Sequence, residues 1–336
     1  MGLRLKVGKL PPELLARLFK TAPCTDPRVV VGPRIGEDAA VIDFGATYLV
    51  AKTDPITFAT DRIGWYAVNI NANDVAAMGA RPKWFLATLL LPEGSADEGL
   101  AEGIFNDIVE SCAGLGISLV GGHTEVTAGL DRPILVGQML GEVEKERLVC
   151  NRNAQAGDAI ILTKGIAIEA TSLIARERTA EVERDLGAEF VERAKSFLFE
   201  PGISVVREAL AASCATRCHA MHDPTEGGLA TGLWELAEAA GLGVLVEREK
   251  IRVYNESARL CGRFGLDPMG VIASGALLIV VAQEDAARVL AAIQEAGVEA
   301  NVIGAMTPRE EGCKMRVQDE VRPLPTFERD EIAKLF

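Results

Sequence analysis

The stretch CHAMHDPTEGGLATGLWEL, residues 218–236, determines how the second half of the chain is interpreted. The pattern predicts a strand, a loop at Asp223 and then a helix. Thr225 is a suitable N-cap for that helix, and Glu226 places an acidic residue in its first turn. Gly227 and Gly228 are unexpected there, because a glycine in a first turn costs about 1 kcal/mol against alanine. Bare backbone at a helix N-terminus suits an anion. The stretch therefore predicts a phosphate beside the glycines and a cation on Asp223.

Length and composition predict a two-domain α/β protein. The chain has 336 residues, of which 49% are hydrophobic, 25% charged and only 5% aromatic, which favours α/β packing over an all-β sandwich. Its net charge of -13 argues against a nucleic-acid partner or an anionic membrane surface. Seven scattered cysteines and an N-terminus without an apolar signal segment lead us to expect a cytoplasmic protein.

Strand and helix patterns alternate along both halves of the chain. A helix is predicted to end at Gly79, and another to open with Ser95 and Glu98 as a capping box. The polar segment 143–157 is a plausible boundary. We therefore predict two mixed α/β domains, at 1–148 and 149–336.

Acidic residues at strand ends and apolar helix positions are the first candidates for chemistry. Asp54 is predicted to end a strand, and Asp74 lies among apolar neighbours on a helix. An unpaired buried carboxylate costs several kcal/mol, which Mg²⁺ with phosphate oxygens would offset. Taken singly, each aspartate is better explained as a turn or capping residue, and Asp74 could be satisfied by Asn73 or an arginine. The candidate metal ligands are Asp38, Asp54, Asp74 and Asp223.

Other patterns supply further candidates. In LVGGHTEV, Gly121 and Gly122 stand at the predicted end of a strand, where a ligand can approach the backbone closely. His123 could contact a ligand or carry a proton, and a histidine satisfied beside a turn fits equally well. The segment CATRCHAMH, 214–222, has the residue types of a zinc site, but its side chains would point several ways. Lys52 could meet phosphate, but we expect it to be a solvated surface lysine.

Six segments carry a resemblance to a known superfamily over nearly the whole sequence: IGEDAAVI, KTDPITF, NANDVAAMGARP, LVGGHTEV, AMHDPTEGGLA and GLDPMGVIASGALLIVV. Together they resemble the superfamily of aminoimidazole ribonucleotide (AIR) synthetase, thiamine-monophosphate kinase, selenophosphate synthetase and the hydrogenase maturation factor HypE. HDPTEGG and GLDPMGVIASG are most similar to HypE and HypE-like AIR synthase-related proteins. The resemblance implies two mixed α/β domains of the AIR synthetase-like type, the second larger, and a homodimer formed by pairing of N-terminal sheets.

The resemblance also implies ATP and Mg²⁺ near the domain and subunit boundary. By position, the metal-binding carboxylates would be Asp38, Asp54, Asp74 and Asp223, and catalysis would involve Asp54 and His123. The nucleotide would be contacted by Asn73, Gly121, Gly122, Thr124, Gly227 and Gly228. On this interpretation, Gly227→Val weakens nucleotide binding and leaves the fold nearly intact.

The acceptor is not specified by these motifs. HypE ends in a cysteine that receives a carbamoyl group and is dehydrated to thiocyanate, whereas this sequence ends FERDEIAKLF, which counts against a C-terminal thiocarbamate reaction. One hypothesis is an ATP-dependent enzyme that phosphorylates or dehydrates a small molecule or a protein-borne amide, in hydrogenase or cofactor maturation. Alternatives are a nucleotide-binding maturation partner without turnover, and an enzyme like thiamine-monophosphate kinase or AIR synthetase.

Overall fold

The computed structural model describes residues 10, 12–21, 24–34, 37–57 and 59–335 of the chain. They form two mixed sheets with helices packed against them, which confirms the predicted α/β class. Ile35 and Gly36 of the IGEDAAVI segment lie outside the described residues. In the part of the chain described, every helix is too short or too polar to cross a lipid bilayer.

The first sheet has six strands in the order β1-β2-β3-β6-β4-β5, and only β4 and β5 are parallel. Its strands are β1 (Val29–Val31), β2 (Ala40–Asp43), β3 (Thr47–Ile56), β4 (Arg81–Pro92), β5 (Ser118–Thr127) and β6 (Ile134–Glu144). The helices of this half are α1 (Pro12–Phe19), α2 (Ile63–Ala77) and α3 (Glu98–Leu115).

The second sheet has seven strands in the order β13-β12-β9-β11-β7-β10-β8. Its strands are β7 (Ala159–Thr163), β8 (Ala220–His222), β9 (Gly243–Glu247), β10 (Leu278–Val281), β11 (Ala300–Thr307), β12 (Cys313–Val317) and β13 (Glu320–Pro323). The helices are α4 (Ile168–Glu177), α5 (Thr179–Leu186), α6 (Ala188–Ser196), α7 (Val206–Ala215), α8 (Gly228–Ala240), α9 (Asn255–Phe264) and α10 (Ala286–Glu295).

Helix α2 joins the two halves of the molecule. It is buried on nearly every face, with β3 and β6 on one side and α3 and α7 on others. Two glycines of β6 allow the close approach, because a Cβ on Gly137 would lie 2.3 Å from Asn71 Nδ2 and one on Gly141 2.4 Å from Val75. One hydrophobic core runs through both halves, so the predicted boundary at 148 separates two sheets that share packing. That boundary stays a prediction.

Several predicted element ends are wrong. Helix α8 begins at Gly228, not at Thr225, and α3 is capped by Asp97, whose side chain accepts from the Leu100 amide at 2.7 Å, not by a Ser95 box. Strand β3 continues past Asp54 to Ile56. Strand β5 runs through the Gly121-Gly122 pair, because both residues are extended with φ near +150°, a conformation open to glycine.

Candidate functional site

Lys52 lies at the centre of an acidic cluster between β3 and α2. Its Nζ is 3.4 Å from Asp54 Oδ2 on the same strand and 3.2 Å from Asp74 Oδ2 on the helix. Asn71 fixes the strand to the helix, since its Oδ1 accepts from the Asp54 amide at 2.8 Å. Asp74 is buried, whereas the Asp54 side chain is 36% exposed and therefore forms the mouth of the cluster.

The other side of the cluster combines Asp38 of the first half with His222 and Asp223 of the second half. Asp38, His222 and Asp223 each offer a ligand atom, and these atoms lie within 4.8 Å of one another. His222 bridges two carboxylates, with Nδ1 2.9 Å from Asp38 Oδ1 and Nε2 3.0 Å from Glu235 Oε2. Burial opposes the protonation of His222, but Asp38 and Glu235 outweigh burial and raise its pKa well above the ordinary value.

Asp223 is the least satisfied group in the cluster. It is 2% exposed, and no other described residue donates a hydrogen bond to either of its carboxylate oxygens. Asp38 Oδ2 is likewise buried without a described donor. Burial first and the Asp38 charge second raise the pKa of Asp223 to about 7. A buried carboxylate in this state is destabilising unless a cation or a proton joins it.

All four predicted aspartates act on Lys52, so the expectation of a solvated surface lysine is wrong. Burial alone would lower the pKa of Lys52, but the surrounding carboxylates outweigh burial and raise it. In order of effect they are Asp74, Asp54, Asp38 and Asp223. Burial raises the pKa of Asp74 well above its ordinary value although Lys52 opposes the shift.

The donor set of this cluster fits Mg²⁺. Mg²⁺ takes one or two carboxylates together with waters and phosphate oxygens, and Asp38 and Asp223 present three oxygens that no described side chain or amide occupies. His222 is not free to serve as a ligand, because both of its ring nitrogens are within hydrogen-bonding distance of carboxylates.

The glycine pair of the opening stretch has a conformational role. Gly227 and Gly228 have φ of +84° and +67°, which residues with a β-carbon adopt only at a cost of about 1–2 kcal/mol, so glycine is favoured at both positions. The Gly227 amide donates to Asp330 Oδ2 at 2.7 Å. The anion at the N-terminus of α8 is therefore a carboxylate of the chain itself, and a phosphate contact at this amide requires Asp330 to move.

The predicted nucleotide residues of β5 lie across the sheet from the acidic cluster. Asp54, Gly137, Ala87 and Gly122 form one row across four neighbouring strands. Three strand spacings of roughly 4.8 Å put Gly122 about 14 Å from Asp54. His123 and Thr124 follow on this exposed edge strand, and His123 Nε2 is 3.2 Å from Glu125 Oε2. Within one chain, the structure does not bring these residues to the aspartates.

Asn73 connects the two halves. It is fully buried, its Nδ2 donates to the Ile203 carbonyl at 2.8 Å, and its Oδ1 accepts from the Val205 amide at 2.8 Å. Both ends of its amide are therefore engaged with backbone. The neighbouring Asp74 faces Lys52, so Asn73 holds the helix that carries a site residue.

The CATRCHAMH segment does not form a zinc site in the structure. Cys214 is exposed and Cys218 buried, while His219 pairs with Asp158 at 2.7 Å. Within the described ranges, the only cluster with metal-ligand geometry is the one that contains Asp38, His222 and Asp223. The sequence analysis missed the roles of Lys52, His222 and Glu235. Of these three, Lys52 alone has a sequence signal for its burial, because it lies on an apolar strand two residues before Asp54.

Each half of the chain matches one domain of a known protein family. Residues 36–143 match the family described as AIR synthase related protein, N-terminal domain, and residues 155–315 match its C-terminal domain. A Methanocaldococcus jannaschii protein named for hydrogenase expression and formation is 30% identical, covering 91% of this chain and 90% of its own. The carbamoyl dehydratase HypE of Cupriavidus necator is 29% identical, covering 81% of this chain and 77% of its own.

Solved structures show the same fold. HypE in complex with ATP has a TM-score of 0.69 at 23% identity and covers 94% of this chain and 93% of its own. HypE in its complex with HypF has a TM-score of 0.73 at 21% identity and covers 90% and 97%. Both domain matches, and relatives at 30% identity over nine-tenths of the chain, one of them a HypE, show that the chain belongs to the AIR synthase related protein family.

Proposed function

We propose that the chain is a HypE-like, ATP- and Mg²⁺-dependent enzyme that activates the oxygen of a carbamoyl or other amide group in hydrogenase maturation. The observation that carries this proposal is the convergence of aspartates from both halves of the chain on Lys52, with both oxygens of Asp223 lacking a described donor. Phosphoryl transfer depends mainly on positioning and charge neutralisation, and this cluster is suited to both. Support also comes from relatives named carbamoyl dehydratase and from a related structure that binds ATP.

The residues divide the work between cation binding and positioning. Asp38 and Asp223 would hold Mg²⁺, with Asp54 and Asp74 completing the cluster beside Lys52. Bound there, Mg²⁺ would neutralise phosphate charge and polarise the γ-phosphoryl group. Asn71 and Asn73 hold the strand and helix that carry the acids. For His123, Thr124 and the β5 glycines we propose contact with nucleotide bound across the sheet or by a second subunit.

In the proposed dehydration, the oxygen of the acceptor amide ends up in the inorganic phosphate that is released. The amide oxygen attacks the γ-phosphorus, and the bond from phosphorus to the β-γ bridging oxygen breaks to release ADP. Loss of both N–H protons and cleavage of the C–O bond then give a nitrile and inorganic phosphate. The sum is removal of one water from the amide at the expense of one ATP.

Oxygen-18 in the acceptor distinguishes this reaction from simple ATP hydrolysis. We expect full-length protein given MgATP and S-carbamoyl-N-acetylcysteine, labelled in the carbamoyl oxygen, to release ADP and labelled inorganic phosphate. Unlabelled phosphate would show that water is the acceptor and contradict the proposal. Nucleotide binding without ADP formation, with this acceptor and with HypF-type partner protein added, would favour a binding partner without turnover.

We propose that the protein is a homodimer joined through β5. This strand is at the edge of the first sheet, and its Val120 and Val126 are 52% and 57% exposed. On the adjacent α3, Phe105 and Val109 are also exposed. Unpaired strand edges with apolar side chains are sites of association. A partner subunit at β5 would bring a second surface to His123.

Sedimentation measures this assembly directly. We expect the protein to sediment at twice the chain mass of 35.8 kDa, and a Val120→Lys, Val126→Lys double variant to sediment at the single mass. A wild-type monomer at micromolar concentration would contradict the proposal. A second interaction, with a HypF-like maturation protein, is proposed from the solved complex of HypE with HypF. We propose that the homodimer and this second complex form in the cytoplasm, because all seven cysteines are free thiols.

A further inference from the structure

The acidic cluster has two halves that differ in their partners. Asp54 and Asp74 share the ammonium group of Lys52, at 3.4 and 3.2 Å from their Oδ2 atoms. Asp38 and Asp223 have no lysine or arginine partner among the described residues, and three of their four oxygens are buried without a donor. The two pairs of aspartates are nevertheless coupled electrostatically, because all four carboxylates raise the pKa of Lys52.

The position of Lys52 is fixed. Its strand, β3, is paired on both sides, with Ala51 opposite Ala40 of β2 and Lys52 opposite Met139 of β6. Its side chain is only 20% exposed and lies between strand and helix. A largely buried ammonium held by two carboxylates stays in place, since separating a buried pair is strongly unfavourable.

The carboxylates of the cluster are therefore not all neutralised to the same extent. When Asp54 and Asp74 are both ionised, Lys52 neutralises one of their two charges, and protonated His222 shares its charge between Asp38 and Glu235. Asp223 keeps a full negative charge when ionised. Two-metal sites for phosphoryl transfer hold their ions about 3.5–4 Å apart. Here the cation that lies between Asp54 and Asp74 is the ammonium group of Lys52.

We propose that Lys52 is a resident counter-cation that replaces a second metal ion, so that each chain binds one divalent cation, between Asp38 and Asp223. The proposal rests on the proposed function for its metal site. It adds a fixed stoichiometry and names the residue that sets it. The same cluster without the lysine would bind two ions.

Mn²⁺ binding, followed by the electron paramagnetic resonance of the free ion, tests this stoichiometry without nucleotide or turnover. We expect one Mn²⁺ per chain in the wild type and two in Lys52→Met. Lys52→Arg keeps the charge and should bind one. Lys83→Met removes another lysine of the first sheet, one that pairs with Glu142, and should also bind one.

A stability measurement guards against a variant that folds poorly. Without metal, the melting temperature of Lys52→Met should fall by about 10 °C, because four carboxylates lose their shared cation. Mn²⁺ should restore most of that loss. Lys83→Met should change little in either condition. A Lys52→Met protein that stays unfolded in millimolar Mn²⁺ would overturn the proposal.

The outcomes separate this inference from the proposed function. Two ions in the wild type, or one ion in Lys52→Met with unchanged affinity, would overturn the role of Lys52 and leave the metal-dependent enzyme standing. No Mn²⁺ in the wild type would overturn both. One ion in the wild type and two in Lys52→Met would establish the lysine as the second cation.

Discussion

Asp223→Asn is expected to remove nearly all ATP turnover and at the same time to stabilise the metal-free protein. The carboxylate is buried, its oxygens have no other described donor, and burial raises its pKa to about 7. At pH 8 it is ionised and costs stability, so the neutral amide should raise the free energy of unfolding by about 1–3 kcal/mol. Loss of a transition-state charge partner should lower kcat about 10²–10³-fold.

Asp158→Asn is the matched control for that variant. Asp158 is also buried in the second half, but its Oδ2 accepts from the Gln155 amide at 2.7 Å and pairs with His219. Its loss should lower stability and leave turnover per folded molecule unchanged. Urea unfolding and ADP formation at pH 8 measure both effects. An Asp223→Asn protein that is less stable than wild type, or that keeps full turnover, would contradict the assignment of Asp223.

Gly228→Ala is expected to destabilise the second half by about 2–5 kcal/mol, from roughly 1–2 kcal/mol of left-handed strain and a further 1–3 kcal/mol of overpacking. Its φ is +67°, and a Cβ there would lie 2.5 Å from the Met269 carbonyl oxygen and 2.7 Å from that of Val271. Both of these oxygens belong to the backbone, so a change of side-chain rotamer cannot relieve the clash. The glycine lets the GLDPMG loop rest on the mouth of α8, where the Met269 carbonyl accepts from the Ala230 amide at 3.0 Å.

Gly241 ends the same helix and provides the control. Its φ is also +67°, but nothing lies within 4 Å of its Cβ position, so Gly241→Ala should cost only about 1–2 kcal/mol. Equal losses in the two variants, measured by urea unfolding, would show that the loop contact is unimportant. The expectation that Gly227→Val spares the fold is wrong for a similar reason, because φ is +84° and Thr231 Oγ1 would lie 2.3 Å from the Cβ.

The convergence of the aspartates could be predicted from the sequence, but their immediate partners could not. Motif order and the apolar setting of Asp74 indicate a shared site, and in the structure Asp54 and Asp74 pair with Lys52 while Asp38 and Asp223 act on it electrostatically. Lysines on strands are usually solvated, so only the three-dimensional packing of α2 against β3 revealed this one as buried. The His222 bridge depends on Asp38, 184 positions away in sequence, which no local pattern reports.

The glycines show the opposite limit. Sequence reasoning located the unusual backbone at Gly227 and Gly228 correctly but interpreted it as a phosphate site, because helix N-termini often bind anions. In the structure the Gly227 amide donates to Asp330, 103 positions away in sequence, and the phosphate contact stays a prediction. Likewise, the motifs group Gly122 and His123 with the aspartates, but two other strands lie between their strand and that of Asp54. Long-range pairing decides such distances, and spacing along the chain does not.

The most direct test is a crystal structure with Mn²⁺ and a non-hydrolysable ATP analogue, recorded at the manganese absorption edge. The account predicts one anomalous peak per chain in this cluster, within about 2.0–2.6 Å of oxygens of both Asp38 and Asp223. The Lys52 ammonium should remain beside Asp54 and Asp74, and a γ-phosphate oxygen should complete the metal's ligands. A manganese peak bound away from these two carboxylates, with the analogue's phosphates elsewhere, would contradict it.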